Sequence, residues 1–543
     1  MTGTALGRWI DATVFDLARH VRWSYLPPLM VYLAAGVSGL TAIVGTFFIK
    51  EYLDLSAAFL AGLAFWAGIP WTLKIPLGHL VDIIWRWKAL LVYLGAGLVA
   101  LSIAIMYGLI AHTGAMAQYM PVEAWFVTST LLAPSGYVVQ DVVADAMTVE
   151  AIPRLDAAGK PYPDAEIKAM HTTMQTLGRF AIIGGLVLVA ALNIAVFTGI
   201  AEMSEAEKAS RYADIYLAAL CIPALSVSGV LLATVTLRLR VRKLRREGFD
   251  DAKIESLLAT PAEKTEPNWW IFGGSLAFVA FTLAMGLGKA PFAQEIVFLG
   301  SIAIVLFLMY RLLLELRPEL RGALVGTAVI IFVFRAVPLP GAGATWFEID
   351  VLGFDQRFLS VLYLITSSLA LVGMVLLRPL MARKPIAFIV VLLTIAAGIL
   401  SLPNIGLYYG LHEWTAARTG GIVDARFIAI MDAAVESPLA QISMIPMLAW
   451  IAKNAPAHLK ATFFAVMASF TNLALSASSL GTKYLNQIFR VTREVRDRMT
   501  GAVEIPADYS ELGALLIVVA LITVATPLLV IALIQGSPLR TRQ

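Results

Sequence analysis

The chain contains few charged residues and few residues that bind metals or form disulfides. Of its 543 residues, 14% are Asp, Glu, Lys or Arg and 59% are hydrophobic, and the mean hydropathy is +0.80. A single cysteine excludes a disulfide framework within the chain. The six histidines include no pair at metal-ligand spacing within one predicted helix, and neither a Gly-rich phosphate loop nor a nucleophile motif stands out. We therefore expect no metal, no cofactor and no enzymatic activity.

The chain contains many long apolar runs. A membrane-spanning helix needs about 20 mainly apolar residues. Fourteen segments meet this requirement: residues 26–49, 56–81, 89–112, 122–149, 168–198, 212–236, 269–288, 293–314, 322–345, 357–378, 385–409, 425–452, 460–487 and 512–534. We number them spans 1 to 14. The sequence therefore predicts an all-α polytopic membrane protein.

The positive charges give the predicted orientation. Lys and Arg are concentrated before span 1 and after each even-numbered span, most densely in RLRVRKLRR at 238–246. Positive charge accumulates in cytoplasmic loops, so we expect a multi-pass protein of the cytoplasmic (inner) membrane with both termini in the cytoplasm. One loop on the opposite side, RVTREVRDR at 490–498, carries four Arg and breaks the pattern. The net charge of +4 is no indication of nucleic-acid binding.

A polar segment divides the spans into two halves. Residues 1–25 lack a secretory signal and are predicted to be a cytoplasmic N-terminal segment, and residues 237–268 are predicted to be a cytoplasmic linker. Six-helix bundles are expected at 26–236 and 319–537, with two inserted helices at 269–318. Two parallel repeats of six spans are the arrangement of the major facilitator transporters. The predicted fold is thus a major facilitator fold with two extra central helices.

Pairs of carboxyl groups occur inside two of the predicted spans. Asp141 and Asp145 lie in span 4, and Asp432 and Glu436 lie in span 12. A spacing of four residues places both members of a pair on one helix face. Each carboxyl costs about 2.5–3.5 kcal/mol at the centre of a bilayer, so such groups are expected to face a watery cavity or a partner. Two adjacent acids can share a proton, which predicts a proton-coupling role for Asp141 and Asp145.

Three cations are predicted near the depth of these acids. Lys74 in span 2 and Arg179 in span 5 lie at about the depth of Asp141, and Arg335 lies midway through span 9. Two interpretations are open. The charges form a buried ion network that fixes helix packing, or they handle a substrate and protons. Unpaired cations in a low-dielectric cavity favour an organic anion, so we predict that Lys74, Arg179, Arg335 and the second acid pair bind substrate.

The connection between spans 2 and 3 carries a spaced set of charges. Its sequence PLGHLVDIIWRWK contains Gly78, Asp82, Arg86 and Lys88. This pattern resembles the loop 2-3 motif of the major facilitator superfamily. The resemblance implies that the glycine allows close helix contact and that the charges latch the cytoplasmic side as a gate. Alternatively, the two cations serve only to hold the loop in the cytoplasm.

Several stretches together resemble the folate-biopterin transporter family of the major facilitator superfamily. They are GIPWTLKIPLGHLVD (68–82), QDVVADAMTVE (140–150), FRAVPLPGAG (334–343), LGFDQRFLSVLYLI (352–365), ESPLAQISMIPMLAWIAKNAP (436–456) and KATFFAVMASFTN (460–472). The resemblance implies a twelve-helix core, alternating access, and import of folates or pterins with protons. It also implies that Lys74, Asp141, Asp145 and Arg335 stand at family motif positions.

We therefore expect a secondary active transporter, a proton symporter for an organic anion of folate or pterin type, embedded in the bilayer as a monomer. The inserted helices leave an alternative open, because the fourteen-span muropeptide permeases and acetyl-CoA transporters also carry a QD-x3-D-like span 4. A second alternative is a membrane assembly factor that uses the same fold without transport.

Overall fold

The computed structural model describes residues 22–53, 55–152, 162–251, 254, 269–288, 290–314, 318–376, 385–440, 460–496 and 503–540. The helices of the first half are α1 Leu26–Val37, α2 Ala42–Tyr52, α3 Ala57–Gly68, α4 Lys74–Ile83, α5 Ala89–Ala111, α6 Thr113–Ala117, α7 Val122–Ala151, α8 Asp164–Val196, α9 Glu205–Ala219 and α10 Cys221–Arg246. The inserted helices are α11 Trp269–Leu287 and α12 Ala293–Leu314.

The second half repeats the helical pattern. Its helices are α13 Pro318–Arg335, α14 Ala342–Asp350, α15 Gln356–Leu376, α16 Ile386–Tyr408, α17 Leu411–Thr419, α18 Ala425–Ala440, α19 Lys460–Ile488 and α20 Leu512–Gln535. Each of the fourteen predicted spans overlaps one or two of the described helices, and residues 441–452 of span 12 lie outside the described residues. Nine helical segments of the described residues are long and apolar enough to cross a membrane by length and composition. The all-α polytopic fold class is confirmed.

Four predicted spans are interrupted where the backbone cannot continue as a regular α-helix. Span 1 tightens into a 3-10 turn at Ser38–Thr41, and span 2 does so at Ile69–Leu73, which contains Pro70. Span 6 changes helix at Leu220. Span 9 breaks between α13 and α14, where Gly341 has a φ of 82°. Proline lacks the amide proton that a helix interior needs, so the Pro-rich run before Gly341 cannot be helical.

The first half extends further than predicted. Helix α10 continues to Arg246, ten residues beyond the predicted end of its span at 236. Its last turn holds Lys243, Arg245 and Arg246, whose charges interact favourably with the negative end of the helix dipole. The basic run is therefore a helical extension. Residues 255–268 of the predicted linker and residues 1–21 of the predicted N-terminal segment lie outside the described residues.

The two halves meet along two sets of helices. Helix α8 packs against α15, and α3 and α4 pack against α19. We call the end that contains Lys50, Asp350 and residues 490–496 and 503–511 the distal face, and the opposite end, with residues 243–247, the proximal face. A buried apolar cluster near the distal face draws residues from both halves, including Phe47 and Phe358. A smaller cluster joins Phe65 of α3 to Leu480 of α19. The halves are thus joined near the distal face and also along α3 and α4.

Glycines allow the closest helix crossings. A Cβ atom on Gly36 of α1 would lie 2.1 Å from the Ile182 carbonyl oxygen, and one on Gly185 of α8 would lie 2.8 Å from the Gly36 backbone. Gly95 and Gly136 make an equivalent contact between α5 and α7. Gly184, next to Gly185, is not at the crossing, because its Cβ would meet nothing within 4 Å among the described residues.

A short β-hairpin, absent from the sequence prediction, lies between α19 and α20 on the distal face. Its strands are β1 Val495–Arg496 and β2 Val503–Ile505, which pair antiparallel. Just before it, Arg493 is only 3% exposed and its guanidinium lies 5.2 Å from the Trp346 ring centre. One arginine of the unexpected basic loop is thereby explained by cation–π packing. Arg498 lies outside the described residues.

Candidate functional site

Lys74 bridges the two carboxylates of the first acid pair. Its Nζ atom lies 2.6 Å from Asp141 Oδ2 and 2.8 Å from Asp145 Oδ2. Asp141 and Asp145 face the same way because they are four residues apart on the continuous helix α7. Lys74 is the first residue of α4, directly after the 3-10 turn that contains Pro70. The two carboxylates neutralise a cation that would otherwise be costly in the membrane interior.

Tyr32 of α1 completes this ion cluster. Its hydroxyl donates a 2.6 Å hydrogen bond to Asp145 Oδ1. The ring lies against Gly178 of α8, where an added Cβ would approach a ring carbon to 2.9 Å. The side chains of Lys74 and Asp141 are 23% and 21% exposed, and that of Asp145 is 43% exposed. The cluster is therefore partly buried and remains open to solvent at Asp145.

Two arginines from opposite halves lie beside the ion cluster. Arg179 of α8 is close enough to interact electrostatically with Asp141 and also with Arg335 of α13. Among the described residues neither guanidinium makes an ion pair within 4 Å, and the buried Nε of Arg335 has no hydrogen-bond partner there. Arg179 is exposed and Arg335 is half-buried, and their like charges repel each other unless an anion lies between them. This arrangement can bind an anion.

The second acid pair has different surroundings. Asp432 accepts a 3.0 Å hydrogen bond from Asn404 Nδ2, and it lies close enough to the buried Glu348 to interact electrostatically. Asp432 lies seven residues into α18, whereas Asp141 lies nineteen residues into α7. The two motifs are therefore at different depths, and Asp432 does not join the Lys74 cluster. The side chain of Glu436 lies outside the described residues.

The predicted gate is only partly visible. Lys88 donates a 2.5 Å hydrogen bond to Glu150 Oε1 at the end of α7, and its ammonium lies 4.3 Å from the Trp85 ring centre. Among the described residues a Cβ on Gly78 would meet nothing within 4 Å, so the expected close helix contact at Gly78 stays a prediction. The side chains of Asp82 and Arg86 lie outside the described residues.

The distal face carries contacts between the two halves. Lys50 at the end of α2 forms an ion pair of 2.5 Å with Asp350 at the end of α14. Tyr509 donates a hydrogen bond of 2.5 Å to the same carboxylate. Beside them, Gln356 Nε2 donates a buried hydrogen bond of 2.6 Å to the Tyr212 hydroxyl across the two halves. These contacts close the distal side.

Several residues at these sites were not predicted from the sequence. Tyr32, Glu348 and Asn404 are single polar residues in apolar helices, and no spacing singles them out. The distal pair of Lys50 and Asp350 is 300 residues apart in the sequence. The sequence indicates only that both residues lie near the ends of their spans, 1 and 9. Many other residues share that depth, so it does not predict this ion pair.

Comparisons with known proteins give the relationships of the chain. Residues 320–541 match the model of the BT1 family. Across 478 residues the chain is 23% identical to a folate-biopterin transporter of Synechocystis sp., covering 87% of this chain and 76% of that protein. The chain is thus similar to the folate-biopterin transporters over most of its length, as its sequence motifs predict.

Solved structures of similar shape share the fold. A POT family transporter in complex with 5-aminolevulinic acid superposes with a TM-score of 0.59 at 12% identity, over 94% of this chain and 96% of that one. A mutant of the nucleoside transporter NupG superposes with a TM-score of 0.52 at 13% identity, over 94% of this chain and 97% of that one. The chain therefore shares the fold of these transporters, which is consistent with alternating access, and its apolar helices are those of a multi-pass membrane protein.

Proposed function

We propose that this relative of the folate-biopterin transporters carries an organic anion of folate or pterin type across the inner membrane, coupled to protons, by alternating access. The observation that supports the proposal most directly is the placement of Arg179 and Arg335 in opposite halves, beside the Lys74 cluster. An anion that binds both guanidiniums contacts both halves at once. Its binding therefore favours whichever conformation brings the arginines together, which is what a carrier requires.

The ion cluster supplies the proposed proton coupling. Two carboxylates share one ammonium, with Asp141 and Asp145 both within 2.8 Å of Lys74. When one carboxylate takes a proton, its attraction to Lys74 weakens while the other keeps the ion pair. Because Arg179 interacts with Asp141, protonation of Asp141 also releases Arg179 toward the substrate anion. Proton binding and anion binding are thus linked through one arginine.

The distal contacts between the halves support a gate on that side. With the termini in the cytoplasm, as the positive charges predict, the distal face is the external side. Opening of the distal side then requires that Lys50 separate from Asp350. The distal pair is accordingly the proposed external gate.

The test is uptake of radiolabelled folic acid into proteoliposomes with an imposed pH gradient. Arg335→Gln should raise the concentration for half-maximal uptake by about tenfold, because a hydrogen bond to a charged group contributes about 1.5–3 kcal/mol. Arg245→Gln is the matched control, since Arg245 is exposed at the end of α10 and pairs with Asp251. Unlabelled pterin, muropeptide and acyl-CoA are added as competitors. If only muropeptide or only acyl-CoA inhibits the uptake, the substrate belongs to that class and not to the folates or pterins.

The coupling is tested in the same vesicles. Asp141→Asn and Asp145→Asn should abolish uptake driven by the pH gradient while the thermal unfolding midpoint of the protein shows that it remains folded. Uptake that stays fully gradient-dependent in both variants would remove these residues from the coupling role.

A further inference from the structure

A large cavity lies beside the inserted helices, apart from the proposed transport site. Its volume is about 1420 Å³, above the range of about 300–1,000 Å³ for ordinary small-molecule sites. It is bounded by α3, α7, α11, α12 and α19 and extends from Thr492 at the distal face to Ser135 midway along α7. Lys74, Arg179 and Arg335 do not line it. The cavity therefore needs an occupant of its own.

One side of the cavity is apolar and faces the lipid region. Leu63, Trp66 and Phe278 line its inner wall, and Leu283 and Phe292 line its outer rim. Leu283 is 55% exposed and Phe292 is 70% exposed. In a membrane such surfaces contact lipid chains. The rim also holds a strained residue, because Phe292 has a φ of 57°, a conformation that is rare for bulky residues and is concentrated at ligand sites.

The other end of the cavity presents hydrogen-bond acceptors without donors. Four buried atoms that have no partner among the described residues belong to residues lining the cavity: Thr282 Oγ1, Gln294 Oε1, Glu295 Oε2 and Asn486 Oδ1. Three of them can only accept hydrogen bonds. Asn486 is 5% exposed, and its amide nitrogen is already used by the Pro340 and Thr482 carbonyls. An occupant that donates hydrogen bonds would satisfy this cluster of acceptors.

Charge complements the acceptors. Glu295 uses its other oxygen to bind Lys483 and Tyr484, at 2.9 Å and 2.5 Å. At the distal mouth, Arg490 is exposed, and in the described part of the chain its guanidinium has no ion pair. The cavity thus offers an acceptor-rich region for a cation or donor and, nearer the surface, a cation for an anion.

We infer that this cavity binds one phospholipid with a primary-amine head group, taken from the membrane leaflet at the distal face. Its ammonium donates to the acceptors of the adjacent residues Gln294 and Glu295. The phosphate pairs with Arg490, and an acyl chain lies along Trp66 and the apolar wall. The lipid fills the space between the inserted helices and α3, which are joined directly by the hydrogen bond from Gln294 to the Gly62 carbonyl.

The experiment measures the lipid retained by the protein. The full chain is reconstituted in nanodiscs of phosphatidylethanolamine and phosphatidylcholine, transferred to detergent and examined by native mass spectrometry. We expect one phosphatidylethanolamine per chain. Gly286→Leu should lower its retention at least tenfold, because a side chain there enters the cavity beside Trp66, 3.6 Å from the added Cβ. Gly274→Leu on the same helix is the matched control, since its Cβ would meet nothing within 4 Å.

A second variant tests the head group. Glu295→Gln keeps the shape of the side chain and removes its charge, so the preference for phosphatidylethanolamine over phosphatidylcholine should fall at least threefold. Equal retention of phosphatidylethanolamine by Gly286→Leu and Gly274→Leu would overturn the assignment. A second result would also overturn it: the protein retains no lipid, and folic acid raises its unfolding temperature. If Gly286→Leu removes this thermal shift and Gly274→Leu keeps it, the occupant of the cavity is a solute.

Discussion

At the scale of single residues, the central feature is a cation held between two carboxylates. Lys74 makes short contacts with Asp141 and Asp145 and is only 23% exposed. Removing one member of a fully buried ion pair costs about 3–5 kcal/mol because the remaining charge is stranded. Surface pairs contribute about 0–1 kcal/mol. Partial exposure places this cluster between those limits.

We therefore predict that Lys74→Met lowers the free energy of unfolding by about 1–3 kcal/mol. The double variant Lys74→Met with Asp141→Asn should be more stable than Lys74→Met alone, because it no longer leaves two facing carboxylates. Thermal unfolding in detergent at neutral pH measures both. A double variant that is less stable than the single one would show that the residues are not coupled in this way.

Tyr32 allows a finer test. Tyr32→Phe keeps the ring that packs on Gly178 and removes the hydrogen bond of 2.6 Å to Asp145. Since Asp145 is 43% exposed, water can replace the lost donor. We expect a loss of stability of about 1 kcal/mol or less, with gradient-driven uptake reduced more than binding of folic acid. Unchanged uptake kinetics would mean that Tyr32 only packs against its neighbours.

The contact of Lys74 with the acids could be anticipated from the sequence, whereas that of Tyr32 could not. Charges inside a membrane are rare, so equal depth is enough to suggest a pairing. Tyrosines are common in membrane helices, and depth alone does not select one. The same limit applies to Asp432, because its spacing to Glu436 copies that of Asp141 and Asp145 but its depth in the helix differs.

At the scale of the helices, apolar length predicts where each span lies, and proline and glycine indicate where it bends. The helices are interrupted at the Pro-rich run in span 9 and at Pro70 in span 2. At Pro134, by contrast, α7 continues without a break. A helix tolerates a proline when neighbouring groups form hydrogen bonds with the carbonyl that the proline leaves free. Because those neighbours belong to other helices, the sequence of one helix does not predict the outcome.

The crossing of α1 and α8 gives a matched pair of variants. Gly185→Ala places a Cβ 2.8 Å from the Gly36 backbone, so the helices must separate, and we expect destabilisation of about 1–3 kcal/mol. Gly184→Ala meets nothing within 4 Å and should instead stabilise α8 by up to about 1 kcal/mol through helix propensity. Unfolding midpoints of the two variants are compared with that of the unmodified protein. Equal midpoints would contradict the assigned crossing.

At the scale of the whole molecule, the distribution of contacts between the halves determines the conformation. The apolar cluster shared by both halves and the pair of Lys50 and Asp350 lie on the distal side. Burial raises the pKa of the Tyr509 hydroxyl, and its hydrogen bond to Asp350 raises it further. Tyr509 therefore remains a protonated donor at neutral and mildly alkaline pH, and the distal contacts should not weaken as pH rises through that range.

The final prediction concerns the balance between the two open states. Lys50→Ala removes an ion pair whose side chains are 14% and 27% exposed, so its contribution of about 1–3 kcal/mol lies between the surface and buried limits. The distal-open population should then rise at least about fivefold relative to the closed one. Electron–electron resonance distances between spin labels at Tyr119 and Ile422, two exposed distal positions, measure the two populations after Cys221 is replaced by Ser. The exchanged pair Lys50→Asp with Asp350→Lys should restore the closed population, because it rebuilds the attraction with the charges reversed. If the exchanged pair opens as readily as Lys50→Ala, the ion pair does not hold the gate, and the apolar cluster around Phe47 and Phe358 alone keeps the distal side closed.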